Sequence, residues 1–216
     1  MVEIIPTIFA TSKRMFDEKF NKLVPISKKL QVDFMDGHFV TKKSIKLSNV
    51  PNLRNYKVEF EAHLMVRNPR SWIKRLKNKG FKKVIFHYPT TQLSEDKVKK
   101  LVNDIHKLDM EAFIAISPEV REDEVFPFLN YVEGILIMGV NPGREKQHLL
   151  HKTYYKLQNL RKLNKRIPLQ VDGGVNPHTI KDLVDAGATI INSGSFVSRS
   201  DNPKQALKGL YDALKT

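Results

Sequence analysis

The sequence predicts a closed (β/α)8 barrel, and three observations carry the prediction. Eight short runs rich in β-branched and aromatic residues recur along 216 residues. Amphipathic stretches of helical period separate them, an alternation that builds a mostly parallel sheet with helices outside. The length also suits one barrel domain, which typically takes about 200–250 residues. We therefore expect a single domain over residues 1–216. An open doubly wound sheet is the competing arrangement, but no GxGxxG follows the first run.

The strands are expected, in order, at EIIPTIF (3–9), LQVDFM (30–35), KVEFEAHLM (57–65) and KKVIFHY (82–88), then at MEAFIAI (110–116), VEGILIM (132–138), IPLQVD (167–172) and ATIINS (188–193). Plausible helices between them include RSWIKRLKNKG (70–80), SEDKVKKLVNDIHKL (94–108) and NPHTIKDLVDAG (176–187). In the last of these, Asn176 can cap, Pro177 suits the first helical position and Gly187 suits the stop. Gly80 stops the 70–80 helix in the same way.

Composition narrows the function classes. The chain is 41% hydrophobic, enough for a substantial core, and has no cysteine, so disulfides and thiolate metal sites are excluded. The N-terminal MVEIIPTIFATSKRMF lacks a basic leader followed by a long apolar stretch, so it does not read as a secretory signal. No run approaches the roughly 18 apolar residues of a membrane span. A cytoplasmic protein is expected. The net charge of +14 raises the possibility of a nucleic-acid partner. Its lysines and arginines are spread along segments such as KRLKNKGFKK and KLQNLRKLNKR, without an RGG tract. We read this charge as a solvated surface rather than a nucleic-acid site. Such a field also attracts a small phosphorylated substrate.

In a barrel of this kind the active site lies at the C-terminal ends of the strands. Those ends carry Asp33 and Asp36, His63, His87, Ser117, Asn141, Asp172, and Ser193 with Ser195. Alternation sharpens the set, because residues two apart on a strand share a face. Gln31, Asp33 and Met35 share one face, Glu59, Glu61, His63 and Met65 another, and Gln170 and Asp172 a third. Buried charges are costly unless paired, hydrogen-bonded or bound to a metal. Asp33, His63 and Asp172 together suit a divalent cation such as Zn, Mn or Fe. The VDGGVNPHTI stretch (171–180) adds two glycines that let the backbone approach a ligand, ahead of a helix N-terminus. INSGSF (191–196) repeats the device after the next strand, and loops seven and eight commonly cradle phosphate.

Taken together, VDFMDGHFV (32–40), AHLMVRNP (62–69), ILIMGVNPG (135–143), VDGGVN (171–176) and NSGSF (192–196) resemble the successive signatures of the ribulose-phosphate 3-epimerase family. The resemblance implies a TIM barrel of the pentose phosphate pathway that interconverts D-ribulose 5-phosphate and D-xylulose 5-phosphate through an enediolate. It implies one divalent metal (Zn, Mn, Fe or Mg) and two catalytic aspartates, matched here by Asp33 and Asp172, which with His63 also match metal ligands. Met35, Met65 and Met138 match methionines lining the family's site. Gly143, Arg144, Gly173, Gly174, Gly194 and Ser195 stand at its substrate and phosphate contacts. Family members are often homodimers or larger.

Four departures cluster in this set. Gln31 replaces a histidine metal ligand, and its amide oxygen would ligate more weakly. Ala10 stands where the PSILS pattern ends in serine. NPGREKQH replaces a Gly-Gly loop, so Arg144 and Lys146 can supply charge in place of backbone donors. Gly139 replaces a small hydroxyl residue. The departures leave two alternatives: an epimerase or lyase acting on a hexulose phosphate, and a non-catalytic barrel that binds phosphosugar or nucleic acid and has lost its metal.

Overall fold

A computed structural model describes residues 2–88, 94–144 and 146–215. The strands are β1 (Glu3–Ile8), β2 (Lys29–Met35), β3 (Glu59–Met65), β4 (Lys83–Tyr88), β5 (Glu111–Ile116), β6 (Gly134–Met138), β7 (Leu169–Asp172) and β8 (Ile190–Ser193). Each pairs in parallel with the next, and β1 pairs with β8 to close the barrel. All eight expected strands are present, with ends within two residues of the expected bounds.

Helices α1 (Lys13–Leu23), α2 (Ile73–Lys79), α3 (Glu95–His106), α4 (Lys152–Leu163) and α5 (Ile180–Asp185) cover five of the crossovers. After β8 come the short α6 (Ser195–Ser198) and then α7 (Pro203–Asp212). Two crossovers carry only 3-10 turns among the described residues: Leu47–Asn49 and Leu53–Asn55 between β2 and β3, and Glu122–Phe128 between β5 and β6. Pro51 and Pro127 explain part of this, since each lacks the N–H that an α-helical ladder needs.

Local chemistry accounts for the helix ends. Ser12 Oγ accepts from Met15 N at 3.2 Å and starts α1, which then buries Phe16, Phe20 and Leu23 along one stripe. Phe20 stacks on Phe60 of β3 at 5.8 Å between centroids, so this stripe docks α1 onto the barrel wall. α2 stops at Gly80, as expected, with φ +102° and its N–H on Leu76 O and Lys77 O. Asn176 Oδ1 does cap a turn, accepting from His178 N at 2.8 Å, but regular helix begins only at Ile180.

Alternation along the strands produces two interiors. Leu30, Val32 and Phe34 of β2, with Phe60, Ala62 and Leu64 of β3, face outward into the layer beneath the helices. The inward face is divided. Ile85, Phe113, Ala115, Leu136 and Met138 fill the barrel on the β4–β6 side. On the side of β1, β2, β3, β7 and β8 the buried inward residues are mostly polar: Thr7, Gln31, Asp33, Glu61, His63, Gln170, Asp172 and Asn192, with Met35 and Met65 above them. This asymmetry places the charged groups together under one half of the mouth.

Candidate active site

Register brings the first pair together, because parallel pairing sets Asp33 of β2 directly beside His63 of β3. His63 Nδ1 lies 3.1 Å from Asp33 Oδ1 and 3.4 Å from Asp172 Oδ2. One donor atom from each of Asp33, His63 and Asp172 lies within 4.8 Å of the others. An oxygen, nitrogen, oxygen set at that spacing can hold a divalent cation. All three residues are buried, the aspartates with their edges at the cavity.

Gln31, fully buried below them, is the fourth group at this point. Its Nε2 donates to Asp172 Oδ2 at 2.6 Å and to Asp33 Oδ1 at 3.0 Å, and lies 3.5 Å from His63 Nδ1. The expectation of an amide oxygen in this place is therefore reversed: facing carboxylates, which accept only, the amide turns its nitrogen inward.

Behind His63 runs a second imidazole. His63 Nε2 is 2.9 Å from His87 Nε2, and His87 Nδ1 is 3.1 Å from Ser117 Oγ. Burial would lower the pKa of His63, but hydrogen bonds to Asp172 and Asp33, with their charges, outweigh it and raise it to about 9. Burial and the neighbouring His63 charge push His87 well below the usual histidine range. So metal-free His63 carries a proton on each nitrogen, Nδ1–H facing the aspartates and Nε2–H donated to His87, and neutral His87 accepts on Nε2 while its Nδ1–H points at Ser117. The β5 loop behind Ser117 is fixed by buried Lys156, whose Nζ donates to the carbonyls of Ser117 and Pro118, each at 2.9 Å. Burial, reinforced by the charge of Asp172, raises Asp33 to about 6 despite its bonds to His63 and Gln31.

The pair opens into a cavity of about 540 Å³. Asp33, His63, Met65, Met138, Gly143, Arg144, Asp172, Gly173, Gly174, Gly194 and Ser195, all expected at the site, line it. Met35 does not. It packs one step back, with Phe9 and Met65, in a small apolar cluster. Ala10 also lies elsewhere, buried in the outer core. β1 ends at Ile8, and its inward side chain near the mouth is Thr7. Ala10 lies two residues beyond the strand end, which was expected at residue 9, and the hydroxyl that lines the mouth from this strand is that of Thr7. Lys146, His148, Asn176, Thr179, Asn192 and Arg199 line the cavity as well. Of these, Asn192 was findable by alternation on β8, whereas Arg199 lies beyond α6 and follows only from the folded chain.

The loops that carry the glycines are packed on one another. A Cβ on Gly139 would stand 2.3 Å from Gly173 O, and one on Gly174 would stand 2.6 Å from Leu149 Cα. Gly174 also has φ +73°, which side chains rarely adopt. The β6 and β7 loops therefore close with no room for a side chain at either place, which accounts for glycine at 139.

Comparison with known proteins decides the family. Residues 3–198 match the model described as the Ribulose-phosphate 3 epimerase family. The chain belongs to this family. Among curated relatives, the ribulose-phosphate 3-epimerase of Schizosaccharomyces pombe is 28% identical, covering 98% of this chain and 93% of that protein. The cytoplasmic isoform from Oryza sativa subsp. japonica is 32% identical, covering 86% and 82%. The fold is also seen in a solved structure of 3-hexulose-6-phosphate synthase from Salmonella typhimurium, which superposes with a TM-score of 0.74 at 11% identity, over 99% of this chain and 98% of that one. At that identity the likeness speaks for the barrel alone. Among the described residues no helix is long and apolar enough to cross a membrane.

Proposed function

We propose that this epimerase-family chain interconverts D-ribulose 5-phosphate and D-xylulose 5-phosphate with the help of one divalent cation. One observation carries the reading: two aspartates from β2 and β7 and an imidazole from β3 converge, buried, at the floor of the cavity. Epimerisation at C3 needs a group to take a proton from one face and a group to return one to the other. Asp33 and Asp172 are the two carboxyls placed for this. Asp33, with its pKa raised to about 6, is available in both protonation states near neutral pH.

Asp33, His63 and Asp172 would hold the cation. When bound, it supplies positive charge that stabilises the negative charge developing on the ketose oxygens as the proton leaves C3. Thr7 offers a hydroxyl on the same wall, and Met65 and Met138 give an apolar surface that limits water at the reacting carbon. The phosphate lies between the Gly173–Gly174 turn and the Gly194–Ser195 turn, with Arg144 and Lys146 adding charge from the β6 loop. The rice relative's cytoplasmic location and the absence of a membrane-crossing helix among the described residues support a cytoplasmic enzyme.

The test is deuterium exchange. Purified protein is mixed with ribulose 5-phosphate in deuterated water, and C3 is followed by NMR with and without chelator. Exchange that chelator stops, and that Asp172→Asn abolishes without loss of fold, supports the reading. No exchange on the ketopentose, with turnover of a hexulose phosphate instead, overturns it.

A further inference from the structure

Beneath the two aspartates lies a second buried polar layer. Glu61 of β3 and Lys83 of β4 form an ion pair at 3.0 Å, and the Lys83 ammonium sits 4.0 Å from the centroid of the Phe113 ring. A carboxylate only accepts, so amides around it turn their nitrogens toward it. Gln170 Nε2 donates to Glu61 Oε1 at 2.6 Å, and Asn192 Nδ2 donates to the same oxygen at 3.2 Å. Turning that way leaves Gln170 Oε1 buried without a hydrogen-bond partner. The second Gln170 hydrogen goes to Asn192 Oδ1, also at 2.6 Å, so the 3.5 Å approach to Gln31 Oε1 has no hydrogen of its own. The Gln31 amide is therefore oriented from above: its two hydrogens go to carboxylate oxygens of Asp172 and Asp33, and its oxygen faces the Gln170 amide.

That nitrogen completes a compact four-atom group with Asp33 Oδ1, His63 Nδ1 and Asp172 Oδ2, at 3.0, 3.5 and 2.6 Å. It occupies the place from which a fourth ligand would act. An amide nitrogen with two hydrogens has no lone pair to give a cation. We infer that Gln31 is a positioning residue rather than a metal ligand: held nitrogen-inward by its hydrogen bonds to Asp172 and Asp33, it clamps the two aspartates and leaves a cation three protein ligands. This inference rests on the reading of Asp33, His63 and Asp172 as a cation site.

The experiment is calorimetric titration of chelator-stripped protein with Mn²⁺. Gln31→Leu, which keeps the volume and removes both amide atoms, should weaken Mn²⁺ binding about 10- to 100-fold, the scale on which partners of ligands act. Unchanged Mn²⁺ affinity in Gln31→Leu overturns the inference, because the aspartates would then need no clamp. A second measurement needs no substitution. In ¹⁵N NMR of the natural protein the Gln31 side-chain NH₂ should be protected from exchange with solvent in metal-free samples and in samples loaded with diamagnetic Mg²⁺ alike, and rapid exchange overturns the assignment. If no sample binds Mn²⁺, the cation reading falls while the NMR result still decides what Gln31 does.

Discussion

Replacing His87 by phenylalanine keeps a flat ring against Phe39, which now lies 4.7 Å from it between centroids, and removes both nitrogens. The loss falls on His63. Its Nε2–H, donated at 2.9 Å to His87 inside a region with no solvent exposure at either residue, loses its acceptor. A buried donor left without a partner costs about 1–3 kcal/mol, which is roughly 5- to 150-fold in an equilibrium constant. His63 can escape this cost only by giving up its Nε2 proton and keeping the one on Nδ1, the nitrogen that faces Asp33 and Asp172, and an Nδ1–H cannot ligate. Either way the penalty lands on cation affinity. We expect His87→Phe to weaken Mn²⁺ binding to stripped protein by about 10- to 100-fold and to lower kcat/KM in parallel. His87→Gln, which restores an acceptor oxygen, should recover most of the affinity. Calorimetry measures the binding, and thermal unfolding by circular dichroism checks that the fold survives. Mn²⁺ affinity within twofold of the natural protein in His87→Phe would refute the tautomer argument.

Other perturbations report on separate features. Metal-free protein should lose stability as pH rises from 6.5 to 9. His63 is raised to about 9 in the fold, so its contribution is complete below its ordinary value and fades through the raised one, about 3 kcal/mol in all, read by urea unfolding at each pH; a flat profile counts against the His63 pairing. Arg144→Ala should raise KM for the phosphorylated substrate about two- to fivefold, an amount typical of an exposed charge, with kcat little changed. Unchanged KM would remove Arg144 from phosphate binding. Gly139→Ser should destabilise the protein by about 1–3 kcal/mol in urea, since its Cβ would stand 2.3 Å from Gly173 O.

Much of the barrel was legible because its signal is local. Each strand carries its own run of β-formers, and the period of two named Asp33, His63 and Asp172 as inward groups before any contact was known. Where the sequence misled, the deciding interaction was distant. The end of β1 was set one residue late, and Ala10 drew attention that belongs to Thr7. Strand ends are fixed by pairing with β2 and β8 rather than by the composition of PTIFA. Helical crossovers were expected throughout, but the segments around Pro51 and Pro127 settle into 3-10 turns. The direction of the Gln31 amide was beyond local reasoning, since it answers to Asp172, 141 positions away. Met35 obeyed alternation yet stayed behind Met65, because facing inward on a strand does not guarantee reaching the mouth.

The tight seating of Leu149 on Gly174, and of Gly139 under Gly173, ties two neighbouring loops into one piece. Neither can be exchanged for a homologous version by itself. Transplanting a shorter Gly-Gly loop in place of GREKQH would pull Leu149 from its seat on Gly174, unless residue 139 and the Asp-Gly-Gly turn came with it. Swaps between relatives should therefore succeed as matched sets and fail singly, and a designer who wants to retune sugar preference in this enzyme has to treat the two rims as a single cassette.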